Sequence, residues 1–266
     1  MTSLFNDANG DSKRSASTTA VEPASACASA AFPHAKVSNE TSSRQTFFKT
    51  TIGGAVAGLV TATGVDCLAP RRVSAQSALS PDAALQELMD GNRRFATGSL
   101  TSCDHDLAIL KAHTVDKQEP FAAVLSCADS RVPVELIFDQ TLGQIFVTRV
   151  AGNFAAPEII ASLEYGAAAL GTKVIVVLAH SGCGAVKATI QAKDVPGQIS
   201  SLFAYIRPAV DQARSNIEAA SKANAKIQAG LLRQASTVIS AMVKDNKVKV
   251  VAAYYDLATG TVSLLD

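Results

Sequence analysis

Four short runs rich in apolar and β-branched residues stand out in the second half of the chain. They cover residues 122–125, 145–150, 174–179 and 248–255. None alternates regularly between apolar and polar positions, so each indicates a strand buried on both faces, which is typical of a parallel sheet. A turn at Ala258-Thr259-Gly260 then leads into residues 261–265, which predict a terminal strand.

Helical patterns fill the segments between these runs. Apolar spacing predicts a helix from residue 157 to about residue 170, closed by Gly171, and Ala-rich stretches predict long helices over roughly 198–214 and 217–244. Strands that alternate with helices predict an α/β fold. We expect a central, mostly parallel β-sheet of about four strands plus the terminal strand, flanked by helices.

A further helix is predicted at the start of the folded domain, which we place at residues 79–266. Ser80 is a suitable N-cap, Pro81 suits the first helical position, and Asp82 complements the helix dipole. Apolar residues then follow at roughly helical spacing, namely Leu85, Leu88, Met89 and Phe95. Since the sheet is already covered by helices in this scheme, we expect this N-terminal helical arm to pack on a partner subunit.

The chain before this domain divides into two parts. Residues 1–43 are rich in Ser, Ala, Thr and Asn and predict a disordered extension. Residues 44–78 predict an export signal and linker, because residues 50–65 form an uncharged run that is shorter than the roughly 20 apolar residues of a membrane span. Val73-Ser74-Ala75 offers small residues for cleavage after Ala75.

The residues just before the uncharged run resemble a twin-arginine export signal, Ser43-Arg44-Gln45-Thr46-Phe47-Phe48-Lys49. Gln45 replaces the second arginine, and the pair Arg71-Arg72 lies beyond the run. We expect the export machinery to be a transient partner and the mature protein to be periplasmic or in another extracytoplasmic compartment. The alternative is a cytoplasmic protein whose extension contains an incidental apolar helix.

Charge and cysteine content argue against two classes of protein, electrostatic nucleic-acid binders and disulfide-stabilised proteins. The 266 residues carry a net charge of +1 without a long basic run, which argues against a nucleic-acid binder that relies on electrostatics. The five cysteines are odd in number and do not indicate a disulfide framework.

Two of the cysteines and one histidine come at the ends of predicted strands. Cys127 follows the first strand, His180 ends the third, and Cys183 comes three residues later. Because parallel strands end at the same edge of a sheet, these side chains can converge. Two thiolates and an imidazole form a known catalytic zinc set whose fourth position stays open for water or substrate. Each residue alone has a plainer interpretation, as a buried apolar cysteine or a hydrogen-bonded strand-end histidine.

The two segments that contain these residues, Ser126-Cys127-Ala128-Asp129-Ser130-Arg131 and His180-Ser181-Gly182-Cys183-Gly184, resemble the signatures of β-class carbonic anhydrases. The resemblance extends over about residues 80–266 and includes residues 91–95, 149–153, 254–256 and 259–260. It implies one zinc ion per subunit, held by Cys127, His180 and Cys183. It also implies a homodimer or homotetramer that hydrates CO2 reversibly to bicarbonate and a proton, by attack of zinc-bound hydroxide.

The resemblance implies further site residues. Asp129 matches a carboxylate that accepts a hydrogen bond from the zinc-bound water or, in a closed form, binds zinc itself, and Arg131 matches its partner. Gln118 matches a glutamine that orients the substrate oxygen. Residues lining a small apolar pocket at the dimer interface correspond to Phe146, Ala151 and Tyr165. The plainer alternatives are a structural ion pair, a surface glutamine and core aromatic residues.

Two other functions fit the same residues. The first is hydrolysis of a related heterocumulene, such as carbon disulfide or carbonyl sulfide. The second is a zinc-stabilised scaffold without catalysis, which the presence of both Asp129 and Arg131 disfavours.

Overall fold

The computed structural model describes residues 78–101, 115 and 117–265. The predicted disordered extension lies outside these residues, and so does the export signal except for its last residue. Within the described part of the chain, no helix has the length and apolar character needed to cross a membrane.

The described strands form one five-stranded sheet in the order β2-β1-β3-β4-β5. β1 (Ala122–Ser126), β2 (Ile145–Arg149), β3 (Val174–His180) and β4 (Lys249–Tyr255) are parallel. β5 (Val262–Leu265) is antiparallel to β4. The predicted sheet of four mostly parallel strands plus a terminal strand is therefore confirmed.

Seven described helices surround the sheet: α1 (Pro81–Ala96), α2 (Val134–Ile137), α3 (Pro157–Ala168), α4 (Gly184–Gln191), α5 (Phe203–Ala213), α6 (Ile217–Ala235) and α7 (Thr237–Lys244). The single helix predicted over 217–244 is wrong, because it is two helices. Ser236 has an extended backbone, and its hydroxyl accepts a hydrogen bond from the Ile239 N–H at 2.9 Å, which caps the start of α7.

The winding direction decides which helices cover each face of the sheet. The β1–β2 connection runs one way across the sheet, and the β2–β3 and β3–β4 connections run the other way. Because such crossovers are right-handed, they lie on opposite faces. Val124 and Val176 accordingly pack with α2, whereas Leu125 and Val177 pack with α3, α6 and α7.

Helix α1 completes the cover of the α2 face. Ala84 and Leu88 are fully buried in the same cluster as Val124 and Val176. The premise that the sheet leaves no room for the apolar face of this helix is therefore wrong, while its packing on a partner subunit stays a prediction. The reversed winding leaves one described crossover helix of only four residues on this face, and α1 fills the remaining space.

A buried asparagine attaches α1 to the far end of the chain. Asn92 Nδ2 donates hydrogen bonds to the carbonyl oxygens of Ile137 (3.1 Å) and Gly260 (2.9 Å), while its Oδ1 accepts one from the Val262 N–H (2.7 Å). All the main hydrogen-bonding directions of the amide are used, so the helix is held in one position on the sheet.

The same reversal of winding separates the chain segments that leave the carboxyl ends of β1 and β3. The chain leaves β1 towards one face of the sheet and leaves β3 towards the other. Ligand sites of open α/β sheets form where neighbouring strands diverge in this way.

Candidate metal centre

Three metal-capable side chains converge at the carboxyl ends of β1 and β3. Cys127 directly follows β1, His180 is the last residue of β3, and Cys183 is the N-cap residue of α4. Their potential ligand atoms all lie within 4.8 Å of one another, and the residues are 4%, 0% and 1% exposed, respectively. The convergence that the strand ends predict is therefore confirmed.

A tight turn brings Cys183 back towards His180. Gly182 has a φ of +63°, a left-handed conformation that glycine adopts without steric cost. Ser181 anchors the turn, because its N–H donates to the Tyr255 carbonyl and its Oγ accepts from the Leu257 N–H, both at 2.9 Å. The end of β4 thus helps to set the position of the turn.

The hydrogen bonding of His180 leaves one ring nitrogen available. His180 Nδ1 lies 3.0 Å from the Ser181 carbonyl oxygen, which can only accept, so Nδ1 carries the proton. The other nitrogen, Nε2, is buried and has no hydrogen-bond partner among the described residues. A buried lone pair without a partner is costly, and a metal ion would satisfy it.

The two thiols are coupled to each other. The pKa of Cys127 is lowered, chiefly by the hydrogen bond it accepts from Cys183, while that same bond and burial raise the pKa of Cys183. The Gly152 N–H also donates to Cys127 Sγ at 3.3 Å. A divalent cation bound at these sulfurs would take the place of the thiol protons. Two thiolates and one imidazole fit zinc.

An ion pair borders the three ligand atoms. Arg131 donates from Nε to Asp129 Oδ1 (2.9 Å) and from Nη2 to Oδ2 (2.8 Å), and its backbone N–H also donates to Oδ1 (3.0 Å). The hydrogen bonds from Arg131 hold the pKa of Asp129 well below its usual range. Asp129 Oδ2 lies 3.9 Å from His180 Nε2, so an ionised carboxylate faces the metal-binding atoms.

A second arginine supports the loop that carries Cys127. Arg149, at the end of β2, donates from Nε to the Cys127 carbonyl (3.0 Å) and from Nη2 to the Asp129 carbonyl (2.6 Å). Sequence reasoning included Arg149 in a matching segment but gave it no role. Its position at the carboxyl end of a predicted strand was the available signal.

The other predicted site residues do not gather around these atoms within one chain. Gln118 is exposed and precedes β1, Phe146 is the second residue of β2, and Tyr165 lies near the carboxyl end of α3. All three lie towards the amino end of the sheet. Phe146 pairs with Ala123, four residues before Cys127, so it lies about 13 Å from Cys127 along the strand direction at about 3.3 Å per residue, and Tyr165 contacts Phe146. Ala151 follows β2 on the same side as Cys127.

The aromatic pair lies beside the outer strand. The ring centroids of Phe146 and Tyr165 are 6.3 Å apart, and Tyr165 is 52% exposed. β2 is the edge strand of the sheet, so this aromatic surface flanks an edge without a strand partner among the described residues.

Comparisons with a family model and with curated proteins both identify carbonic anhydrases as similar to this chain. The family model described as carbonic anhydrase matches residues 122–262. A carbonic anhydrase of Mycolicibacterium smegmatis is 34% identical over 193 residues, which are 70% of this chain and 93% of that protein.

Two solved structures are similar in fold. The Coccomyxa β-carbonic anhydrase, solved in complex with acetazolamide, is 25% identical with a TM-score of 0.54, over 68% of this chain and 86% of that one. One of the two tetrameric β-carbonic anhydrases from Sordaria macrospora is 19% identical with a TM-score of 0.57, over 68% of this chain and 96% of that one.

Proposed function

This chain belongs to the β-class carbonic anhydrases, zinc enzymes that interconvert CO2 and bicarbonate, and from this premise we propose Cys127, His180 and Cys183 as its zinc ligands. The observation that carries the assignment is the buried His180 Nε2, which lacks a hydrogen-bond partner among the described residues and belongs to a ring with a ligand atom within 4.8 Å of both sulfurs. Zinc bound there supplies a water that is activated for attack at neutral pH.

The protein's own contribution to this reaction is orientation. The Asp129 carboxylate stays ionised beside Arg131 and accepts a hydrogen bond from the attacking water, which aims it at the carbon of CO2. Arg131 holds both carboxylate oxygens in a fork, so Asp129 does not itself occupy the open ligand position. Arg149 bonds to the carbonyls of Cys127 and Asp129 and so holds the backbone that positions the Cys127 thiolate and the Asp129 carboxylate.

Stopped-flow measurement of CO2 hydration by the zinc-loaded protein tests the proposed function. We expect hydration that a zinc chelator abolishes and added zinc restores. Zinc-loaded protein that hydrolyses carbon disulfide but does not hydrate CO2 would favour the heterocumulene alternative. A folded, zinc-loaded protein that does neither would favour a scaffold.

We also propose a homodimer as the smallest active unit, which can pair into a tetramer like the named relatives from Sordaria macrospora. Phe146 and Tyr165 lie at the amino end of the sheet near the β2 edge, and Gln118 precedes the neighbouring β1, all away from their own metal centre. A two-fold axis beside β2 and perpendicular to the strands would bring the amino end of one sheet next to the carboxyl end of the other. In that arrangement the three residues would line the partner's pocket.

Mixing two inactive variants tests this arrangement. Gln118→Ala leaves the metal ligands intact, and Cys183→Ala leaves Gln118 intact. If Gln118 acts across the interface, each mixed dimer contains one complete site, so co-expressed variants should recover about a quarter of wild-type activity by random pairing. CO2 hydration and light scattering are measured on the same samples.

Each variant purified alone serves as the control and should stay dimeric with little activity. If mixtures that are shown to contain mixed dimers recover no CO2 hydration, Gln118 does not act on a partner's site. A fully active monomer in light scattering at assay concentration would overturn the dimer itself.

We further propose that the protein is exported, on the strength of the basic residues, the short uncharged run and the small residues Val73 and Ala75. We expect the mature chain to begin near residue 76 and to fractionate outside the cytoplasm. N-terminal sequencing of protein from its native host checks this. A chain that starts at Met1 or Thr2 in the cytosolic fraction would contradict it.

A further inference from the structure

Two buried amide side chains on α6 lie behind the metal centre. Asn224 is 0% exposed and Gln228 is 3% exposed, and Gln228 Nε2 donates to Asn224 Oδ1 at 3.2 Å. They are one helical turn apart, and their neighbours Ala225 and Ala229 belong to the apolar core. Polar groups buried in such surroundings destabilise a fold unless they are hydrogen-bonded, so their partners indicate what they do.

Their other hydrogen bonds reach the loop between β2 and α3. Asn224 Nδ2 donates to the Gly152 carbonyl at 2.8 Å, and Gln228 Oε1 accepts from the Ala155 N–H at 3.0 Å. Gln228 Nε2 also lies 3.3 Å from the Tyr205 carbonyl of α5. The pair therefore holds this loop at two points and ties it to a second helix.

Gly152 is the link between this pair and the metal centre. Its N–H donates to Cys127 Sγ at 3.3 Å, while its carbonyl accepts from Asn224. Its φ is +88°, and a Cβ added there would lie 2.5 Å from Ile206 Cδ1. The backbone at Gly152 is thus confined between α5 and α6, and the direction of its N–H depends on both contacts.

We propose that Asn224 and Gln228 are positioning residues for the metal centre, because they aim the Gly152 N–H at the Cys127 sulfur. A hydrogen bond to a ligating thiolate fixes its orientation and reduces the charge it gives to the metal. Outer contacts of this kind typically change metal affinity by about 10- to 100-fold. The inference rests on the zinc ligand set proposed above.

The competing explanation is that the pair only anchors a loop. In that case its loss would lower the stability of the fold but leave the metal site unchanged once the protein has folded. Metal affinity and the spectrum of a metal–thiolate bond separate the two explanations, whereas activity alone does not.

Asn224→Ser and Gln228→Met are suitable variants. A serine hydroxyl on a helix can bond to the carbonyl four residues earlier, as Ser221 does with Ile217 at 2.8 Å, so the new hydroxyl has a partner while the Gly152 carbonyl loses its donor. Methionine keeps the volume of Gln228 without its hydrogen bonds. Ser221→Ala is the matched control, since Ser221 is buried on the same helix and its hydroxyl bonds only within that helix in the described contacts.

The experiment measures zinc affinity by competition with a chromophoric chelator, and the thiolate-to-cobalt charge-transfer band of the Co²⁺-substituted protein. In the folded variants we expect zinc affinity to fall roughly 10- to 100-fold and the band to shift. Ser221→Ala should change neither. Wild-type affinity and an unshifted band in either folded variant, with stability lowered in urea, would overturn the inference. Cys127→Ala with wild-type zinc affinity would instead overturn the ligand set.

Discussion

The Cys183→Ala variant is expected to lose its zinc and all CO2 hydration above background. Only Cys127 and His180 would remain as protein ligands, and the removal of a direct ligand should cost more than the roughly 10- to 100-fold typical of an outer contact. The activated water nucleophile is lost together with the metal. Elemental analysis of purified protein should fall from about one zinc per chain to nearly none.

Thr189→Ala is the matched control for this variant. Thr189 is buried on α4, the helix that begins at Cys183, and its hydroxyl bonds to the Ala185 carbonyl of the same helix at 2.8 Å. This control should keep both zinc and activity, which would exclude a general effect of altering α4. Full zinc content in Cys183→Ala would mean that Cys183 is not a ligand.

The Arg131→Ala variant is expected to keep its zinc but to lose CO2 hydration by about 10²- to 10³-fold. Arg131 lowers the pKa of Asp129, so without Arg131 that pKa rises towards the ordinary carboxyl value and the group is still ionised at pH 7. The expected loss therefore comes from position and not from charge. A released carboxylate can take the open ligand position and exclude water.

Asp129→Asn separates this gating from orientation. An asparagine leaves the ligand position open but removes a good acceptor for the proton of the attacking water, so hydration should also fall by about 10²- to 10³-fold. Arg131→Lys should be intermediate, since lysine keeps the charge without the two-pronged geometry. Zinc analysis and stopped-flow hydration are measured for each variant. Near-normal activity of zinc-loaded Arg131→Ala would leave the pair with a structural role alone.

The strands were predictable because their signal is local. β-branched, apolar runs identified β1, β3 and β4 to within one or two residues, and the strand ends alone brought Cys127 and His180 to one edge. The order of the strands was not predictable in the same way, because no short segment records that the winding reverses after β2. For the same reason, the sequence did not show that one face of the sheet has room for α1.

The contacts that organise the metal centre were harder to predict for a similar reason. Arg149 and Asn224 act on backbone groups of loops that are distant in sequence, and an arginine or asparagine in a helix or strand predicts no particular partner. A faint signal existed in α6. Asn224 and Gln228 are polar residues at i and i+4 on a buried face that otherwise consists of alanine, leucine and Ser221.

Because α1 covers one face of the sheet, the smallest fragment that folds stably must include this helix. The part that matches the family model starts at residue 122, so a fragment cut there would leave Val124, Val176 and Leu178 without the helix that shields them from water. Ser80, whose hydroxyl accepts from the Ala83 N–H at 3.2 Å, is the first residue that this helix needs. Proteolytic maturation after Ala75 would leave residues 76–79 in front of the Ser80 cap. A cut only a few residues later would remove this cap and destabilise the helix that covers one face of the sheet.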